Sequence, residues 1–204
     1  IPDFMRLSEE QTGGKIKVSD FYPVPTVVPV SKAVGALQDK RYVEFTAHPH
    51  CGMATYLFVE DGDIIPITRY ANVDKFIATM KKVNKNASEG SKKKAKLRLI
   101  GAIRHVRFSF LRKYLLKVLT EGSYDSLGEL QRKAILLSSM HFMDPYNFDL
   151  ERVQRCVIHY AVPDGRIIPF CAMNSIHRPE VERKLGIPIK EWKNRHKVEI
   201  TQPL

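Results

Sequence analysis

Cysteine is scarce in this chain: 204 residues carry three, at Cys51, Cys156 and Cys171. So small and odd a number argues against a disulfide framework. The three are far apart in sequence, which excludes a zinc knuckle, where ligands come as close pairs. No apolar run approaches the roughly 20 residues needed to span a bilayer. The opening Ile1-Pro2-Asp3-Phe4-Met5 has neither the charged nor the apolar region of a secretory signal. An initiator methionine is also missing, and Ile1 is not what methionine removal leaves, so the chain reads as a piece of a longer protein. A phosphate-binding glycine loop is absent, because Gly13-Gly14 precedes Lys15 without the surrounding pattern. Acid is missing locally: from Ser91 to Thr120 there is no Asp or Glu.

What is present is an ordinary globular composition, 44% hydrophobic and 9% aromatic, long enough for one good-sized domain or two small ones. The net charge is +11, much of it between Lys92 and Lys117. Charge alone admits nucleic acid, anionic lipid headgroups or a phosphorylated substrate as partner, or merely a solvated helix face.

Residues 3 to 12 read as a helix with Asp3 as cap and Gly13-Gly14 as stop. Prolines 23, 25 and 29 make Phe21 to Pro29 an extended, irregular crossing segment. Ser31 caps a short helix to Leu37, and Tyr42 to Thr46 alternates as a strand. Asn72 caps a helix from Val73 to about Val83, and the polar stretch 84–90 is the natural internal boundary. A basic amphipathic helix follows, with Ile100, Ile103, Val106, Phe110, Leu111, Tyr114, Leu115 and Val118 at helical spacing. Ser126 caps another helix through Leu127, Leu130, Ala134, Leu137 and Met140. Asp144 to Asn147 is a loop, and Pro179 opens a helix to Leu185.

Two stretches share one order of residues. Cys51 precedes Tyr56-Leu57-Phe58-Val59, then Asp61-Gly62 and Ile64-Ile65-Pro66. Cys156 precedes Val157-Ile158-His159-Tyr160, then Asp164-Gly165 and Ile167-Ile168-Pro169-Phe170-Cys171. Asp-Gly supplies the positive φ of a tight turn, so both are hairpins. Strand ends opposite a turn lie together, which brings Cys156 and Cys171 side by side. Thiolates so presented suit an iron–sulfur centre, whose ligands need only converge in space. A 4Fe–4S cluster has four iron sites against three cysteines; the fourth is a histidine, a cysteine outside this segment, or a site left open for substrate or solvent. Among the histidines His50, His159 and His177 are candidates, His159 the weakest because it faces away from Cys156. Buried, inert cysteines are the plainer alternative. Nucleophilic catalysis by His50-Cys51 has no visible acyl-binding element beside it.

The Cys156–Cys171 hairpin resembles the auxiliary-cluster hairpin of SPASM and twitch domains of radical S-adenosylmethionine enzymes. Together with Asp20-Phe21-Tyr22-Pro23-Val24-Pro25, His48-Pro49-His50-Cys51-Gly52 and Ile65-Pro66-Ile67-Thr68-Arg69-Tyr70, it is similar to the C-terminal part of the archaeal tetraether lipid synthase family. The resemblance implies an α/β fold (α+β over this stretch alone), comprising the end of a radical S-adenosylmethionine partial barrel and an auxiliary-cluster domain. It implies residues 1–88 as barrel end, 89–150 as basic helical region and 151–204 as cluster domain. Cys51, Cys156 and Cys171 would bind an auxiliary 4Fe–4S cluster. The full-length enzyme would use S-adenosylmethionine to couple unactivated lipid-tail carbons. The implied partners are an N-terminal radical core outside this chain, a phospholipid substrate and a membrane surface on the cytoplasmic side, with no nucleic acid. The Cys-x3-Cys-x2-Cys motif that cleaves S-adenosylmethionine is absent here. Other readings are a radical enzyme acting on a peptide or cofactor precursor, and a non-enzymatic basic binding module.

Overall fold

The computed structural model describes residues 1–115 and 132–196. Two compact units divide the chain, Ile1–His141 and Phe142–Leu204, whereas the sequence reading placed boundaries after residues 88 and 150. The architecture is α+β.

In the first unit, helix α1 (Pro2–Gln11) starts on a proline, which suits a first turn where the missing N–H costs nothing. Asp3 lies inside that turn rather than capping it. Gly13 and Gly14, both at positive φ, turn the chain away. The proline-rich crossing segment is less irregular than expected. Tyr22–Pro23 forms a short strand, β1, and Val24–Val27 a single tight helical turn. Helix α2 (Val28–Gln38) then begins ahead of Ser31, because Pro29 in its first turn is compatible with helix. Tyr42 to Thr46 is no strand: the alternating residues pair with no strand among the described residues, and Val43 is 72% exposed.

Strands β2 (Gly52–Glu60) and β3 (Asp63–Pro66) make the first hairpin, with Glu60 opposite Asp63 and Leu57 opposite Pro66. Asp61 (φ 50°) and Gly62 (φ 83°) form the turn the sequence demanded. Strand β4 (Ala134–Met140) takes the other edge of β2, running antiparallel from Gly52 opposite Met140 to Phe58 opposite Ala134. Here the helix expected after Ser126 is corrected at its C-terminal half, while residues 126–131 lie outside the described region. Ala134, Leu137 and Met140 fit a helical stripe as well as they fit a short strand. The unpaired N–H and C=O groups along β2 decided between the two. The sheet is four-stranded, β1 and β3 lying along one side of β2 and β4 along the other. Every strand pairing among the described residues is antiparallel, so the parallel βα units of a barrel end are not found.

Helix α3 (Val73–Ser88) is capped by Asn72, whose Oδ1 accepts the Lys75 N–H at 3.0 Å. It continues through the expected boundary and ends at Gly90, φ 78°. Helix α4 (Lys92–Ala102) packs back on α3, and Ala33 of α2 joins Met80, Val83, Ala87, Ala95 and Ala102 in the core the three helices share. Alanines at the contact let the two helices approach closely. The long basic helix is therefore corrected to a short one. After a tight turn at Ile103–His105, Val106 bridges to Ala71, and the chain re-coils only at Phe108–Phe110 and a wide turn at Leu111–Leu115. Phe110 and Tyr114 pack on Phe58 and Tyr70, while Leu97 (70% exposed) and Ile100 (65%) face outward with the lysines.

The second unit is built on its own small core: Val162, Ile168, Ala172, Met173 and Val181. Helix α5 (Leu150–Gln154) is capped by Asp149, whose carboxylate accepts the Arg152 N–H. Strands β5 (His159–Ala161) and β6 (Ile167–Pro169) form the second hairpin, and α6 (Arg178–Leu185), with Pro179 in its first turn, covers it through Val181. A last helix, α7, spans Ile189–His196. No helix among the described residues is long and apolar enough to cross a membrane.

Candidate functional site at the two hairpins

The second hairpin is held at its turn by Asp164. Its carboxylate accepts the Arg166 N–H at 3.1 Å and the guanidinium Nε at 2.9 Å, and that contact holds Asp164 below the usual carboxylate range. His159 stands opposite Pro169 and Ala161 opposite Ile167. One further rung closes the mouth, the Phe170 N–H donating to the Ile158 carbonyl at 2.9 Å. Cys156 and Cys171 flank that rung. The Cys156 thiol lies 3.0 Å from the Ile158 oxygen and donates to it; Cys171 Sγ accepts the Met143 N–H at 3.4 Å. Ser175 ties the same residue from its other side, donating to the Met143 carbonyl at 2.9 Å. Phe170 stacks on Tyr160 at 5.3 Å between ring centres and meets Phe142 at 4.9 Å. The ladder therefore reaches Ile158, two residues after Cys156, and Phe170, one residue before Cys171, and both cysteines are half-buried.

At the mouth of the first hairpin, Cys51 ends a tight turn, Pro49–Cys51. His48 Nδ1 accepts the His50 N–H at 3.2 Å, and the two rings meet edge to face at 4.8 Å. Gly52 follows because there is no room for a side chain: a Cβ there would lie 2.6 Å from the Met140 sulfur and 3.2 Å from the Ser139 oxygen. Across the sheet, the His141 N–H donates to the Cys51 carbonyl at 2.9 Å. Nothing in the sequence reading placed His141 there, since its position depends on the β2–β4 pairing. His177 ends the wide turn Met173–His177, and His159 sits exposed on β5.

Two carboxylates that the sequence reading passed over fix the first hairpin at both ends. Asp20, 1% exposed, receives the Thr68 hydroxyl at 2.5 Å, both Arg69 terminal nitrogens at 2.8 and 3.0 Å, and the Lys17 N–H at 2.7 Å. It therefore clasps the segment leaving β3. Glu60, at the turn end of β2, accepts the Tyr114 hydroxyl at 2.6 Å and pairs with Lys113 at 3.0 Å. The Tyr114 hydrogen bond, then Tyr70 and Lys113, draw its carboxyl from 4.5 down to about 2. Burial first, then the same carboxylate, pushes the Tyr70 and Tyr114 hydroxyls well above the ordinary tyrosine range. The signal for Asp20 and Glu60 was faint: acids at either end of an apolar segment, with partners 48 and 54 residues away.

A 4Fe–4S cluster needs its thiolate ligands to converge in one place. The hairpin mouth of the second unit offers two thiols, that of Cys156 donating to the Ile158 carbonyl and that of Cys171 accepting the Met143 N–H. Among the described residues no group of three or more His, Cys, Asp or Glu is placed to hold a metal ion.

No protein-family profile matches the chain. A curated relative does, the 7,8-dihydro-6-hydroxymethylpterin dimethyltransferase of Methanocaldococcus jannaschii. The two are 45% identical over 213 aligned residues, covering 97% of this chain and 42% of that protein. The chain thus spans less than half the length of the relative it matches. This similarity overturns the resemblance to tetraether lipid synthases, and with it the radical coupling of lipid tails. The His-Pro-His-Cys-Gly and Asp-Gly hairpin residues that carried the resemblance are local motifs, and identity along nearly the whole chain outweighs them.

Proposed function

We propose that this chain is part of an enzyme that methylates a reduced pterin of the hydroxymethyl-dihydropterin class during cofactor biosynthesis. The observation that carries this reading is the 45% identity extending over 97% of the chain. Identity at that level, spread from end to end, means a shared fold and shared packing, and it favours a shared substrate class. The net chemistry is replacement of two hydrogen atoms of the dihydropterin by two methyl groups. S-adenosylmethionine supplies an activated methyl group when bound, and we assign it as the methyl source of the whole enzyme. This chain's own residues build a rigid scaffold: the Asp20 and Glu60 clasps immobilise the first hairpin, and the Met143 clip immobilises the second.

The test uses the longest natural polypeptide that contains this chain, incubated anaerobically with S-adenosylmethionine, reductant and 7,8-dihydro-6-hydroxymethylpterin. Mass spectrometry should show a pterin product bearing added methyl groups, with both added carbons labelled when methyl-labelled donor is used. A pterin recovered unmethylated by folded, reconstituted protein overturns the assignment.

A further inference from the structure

A cavity of 560 Å³ opens in the first unit between α2, the loop that follows it and α3, lined by Ser31, Lys32, Gly35, Lys40, Arg41 and Asn84 among others. Its volume is within the ordinary range for small-molecule sites. The loop is folded tightly back on the helix. The Lys40 N–H donates to the Gly35 carbonyl at 3.0 Å, Asp39 adopts a left-handed conformation (φ 53°), and a Cβ on Gly35 would lie 2.6 Å from the Lys40 oxygen. This turn sets Lys40 and Arg41 at the rim of the cavity, where both are exposed.

The neighbouring acids are already engaged. Asp39, which could neutralise the pair, is held by Lys92 Nζ at 2.6 and 2.7 Å on the α4 side. Glu44 pairs with Lys32 at 3.3 Å. Lys40 and Arg41 make no ion pair among the described residues. The lining therefore combines three cations with one carboxylate, and adds the Ser31 hydroxyl and the Asn84 amide as neutral donors. A guanidinium fork grips two oxygens of one phosphoryl group, while an ammonium serves a second as a point charge. A lone carboxylate ligand would leave one of the two cations unanswered.

We propose that this cavity binds a small molecule carrying a diphosphate, with Arg41 and Lys40 holding the two phosphoryl groups. The site stands apart from the methylation reading and rests on different observations, so failure of one leaves the other in place.

Calorimetric titration of the chain with inorganic pyrophosphate, and separately with ADP, tests it. Saturable binding at one site is expected, weakened roughly tenfold in Lys40→Gln/Arg41→Gln, because two charge-assisted contacts are removed. Lys93→Gln/Lys94→Gln on α4 removes the same charge from exposed side chains that do not line the cavity and should leave affinity within about twofold, since neither contacts the phosphoryl groups. Gly35→Ala keeps every charge but displaces the Lys40 carbonyl, and should weaken binding while circular dichroism stays unchanged. ADP binding more tightly than pyrophosphate assigns a nucleoside diphosphate; equal affinity assigns the diphosphate alone. Absence of saturable pyrophosphate binding overturns the proposal, as does an equal loss in the α4 control.

Discussion

The two hairpins carry the same order of residues, yet the first turns through Asp61 and Gly62 both at positive φ and the second through Gly165 alone, and they live in different surroundings. The first is a long strand pair sewn into a four-stranded sheet, its turn end closed by Phe58, Tyr70, Phe110 and Tyr114. The second is an isolated pair of three-residue strands backed by Val181 on one short helix. Their exits differ as well. Ile67–Arg69 leaves the first as a tight turn clasped by buried Asp20, whereas Phe170–Ala172 leaves the second as a turn whose cysteine accepts a backbone N–H. The shared Asp-Gly-x-Ile-Ile-Pro order specifies a turn and little more. What each hairpin rests on comes from elsewhere in the chain.

The comparison can be broken most directly in the cores. Phe58→Ala removes the ring at the centre of the aromatic cluster and should cost about 3–5 kcal/mol, against about 2–3 kcal/mol for Ile168→Ala in the smaller core. Hydrogen exchange of the hairpin amides in urea locates each loss; equal losses would mean that the larger sheet adds nothing.

The exits come next. Asp20→Ala leaves the Arg69 guanidinium and the Lys17 N–H without their acceptor and should cost on the order of 3 kcal/mol. Cys171→Ala removes one weak sulfur acceptor and should cost about 1 kcal/mol or less. Urea midpoints of the two variants check the contrast.

Acid sharpens it further. Glu60 has its folded pKa lowered from 4.5 to about 2, so the stability it contributes is fully present above pH 4.5 and is lost as the pH falls toward 2. Wild type and Glu60→Gln should therefore differ most above pH 4.5 and converge below it, measured by thermal unfolding across that window. Asp164 is also lowered, by Arg166, but both groups face solvent, and Asp164→Asn should change the acid limb little.

The turns should show the smallest difference. Gly62 (φ 83°) and Gly165 (φ 88°) occupy the same backbone region with open space around them. Gly62→Ala and Gly165→Ala should each cost about 1–2 kcal/mol from conformation alone. Unequal costs in the urea midpoints would show that the turns, and not only their surroundings, differ.

Much of the local structure was legible. Asn72 capping α3, both Asp-Gly turns, the Asp144 loop and the Pro179 helix depend on a few neighbouring residues whose dihedral preferences and hydrogen bonds act within one turn. The failures have one cause. Residues 134–140 carry a spacing that suits helix or strand, and only the open edge of β2 selects strand. Tyr42 to Thr46 alternates but finds no strand to pair with among the described residues. The basic helix breaks at Val106 because Ala71 pairs with it, a contact between residues 35 positions apart (106 minus 71). The site was half legible: the mouth of the second hairpin follows from its turn, but the clasps at Asp20 and Glu60 required partners that no sequence window spans. Family motifs in short runs resembled lipid synthases, whereas the similarity that extends over 97% of the chain is to a pterin dimethyltransferase.

By itself, then, the sequence determined the turns, the helix caps, the prolines' places and the scarcity and placement of three thiols, since each is settled by steric and hydrogen-bonding preferences within a few residues. Only the tertiary structure decided which edge β2 offers, where the basic segment breaks, which carboxylates are buried and which cations are left to line a cavity. Those outcomes depend on satisfying backbone groups and charges between segments dozens of residues apart, and the free energy of doing so is not written in any one of them.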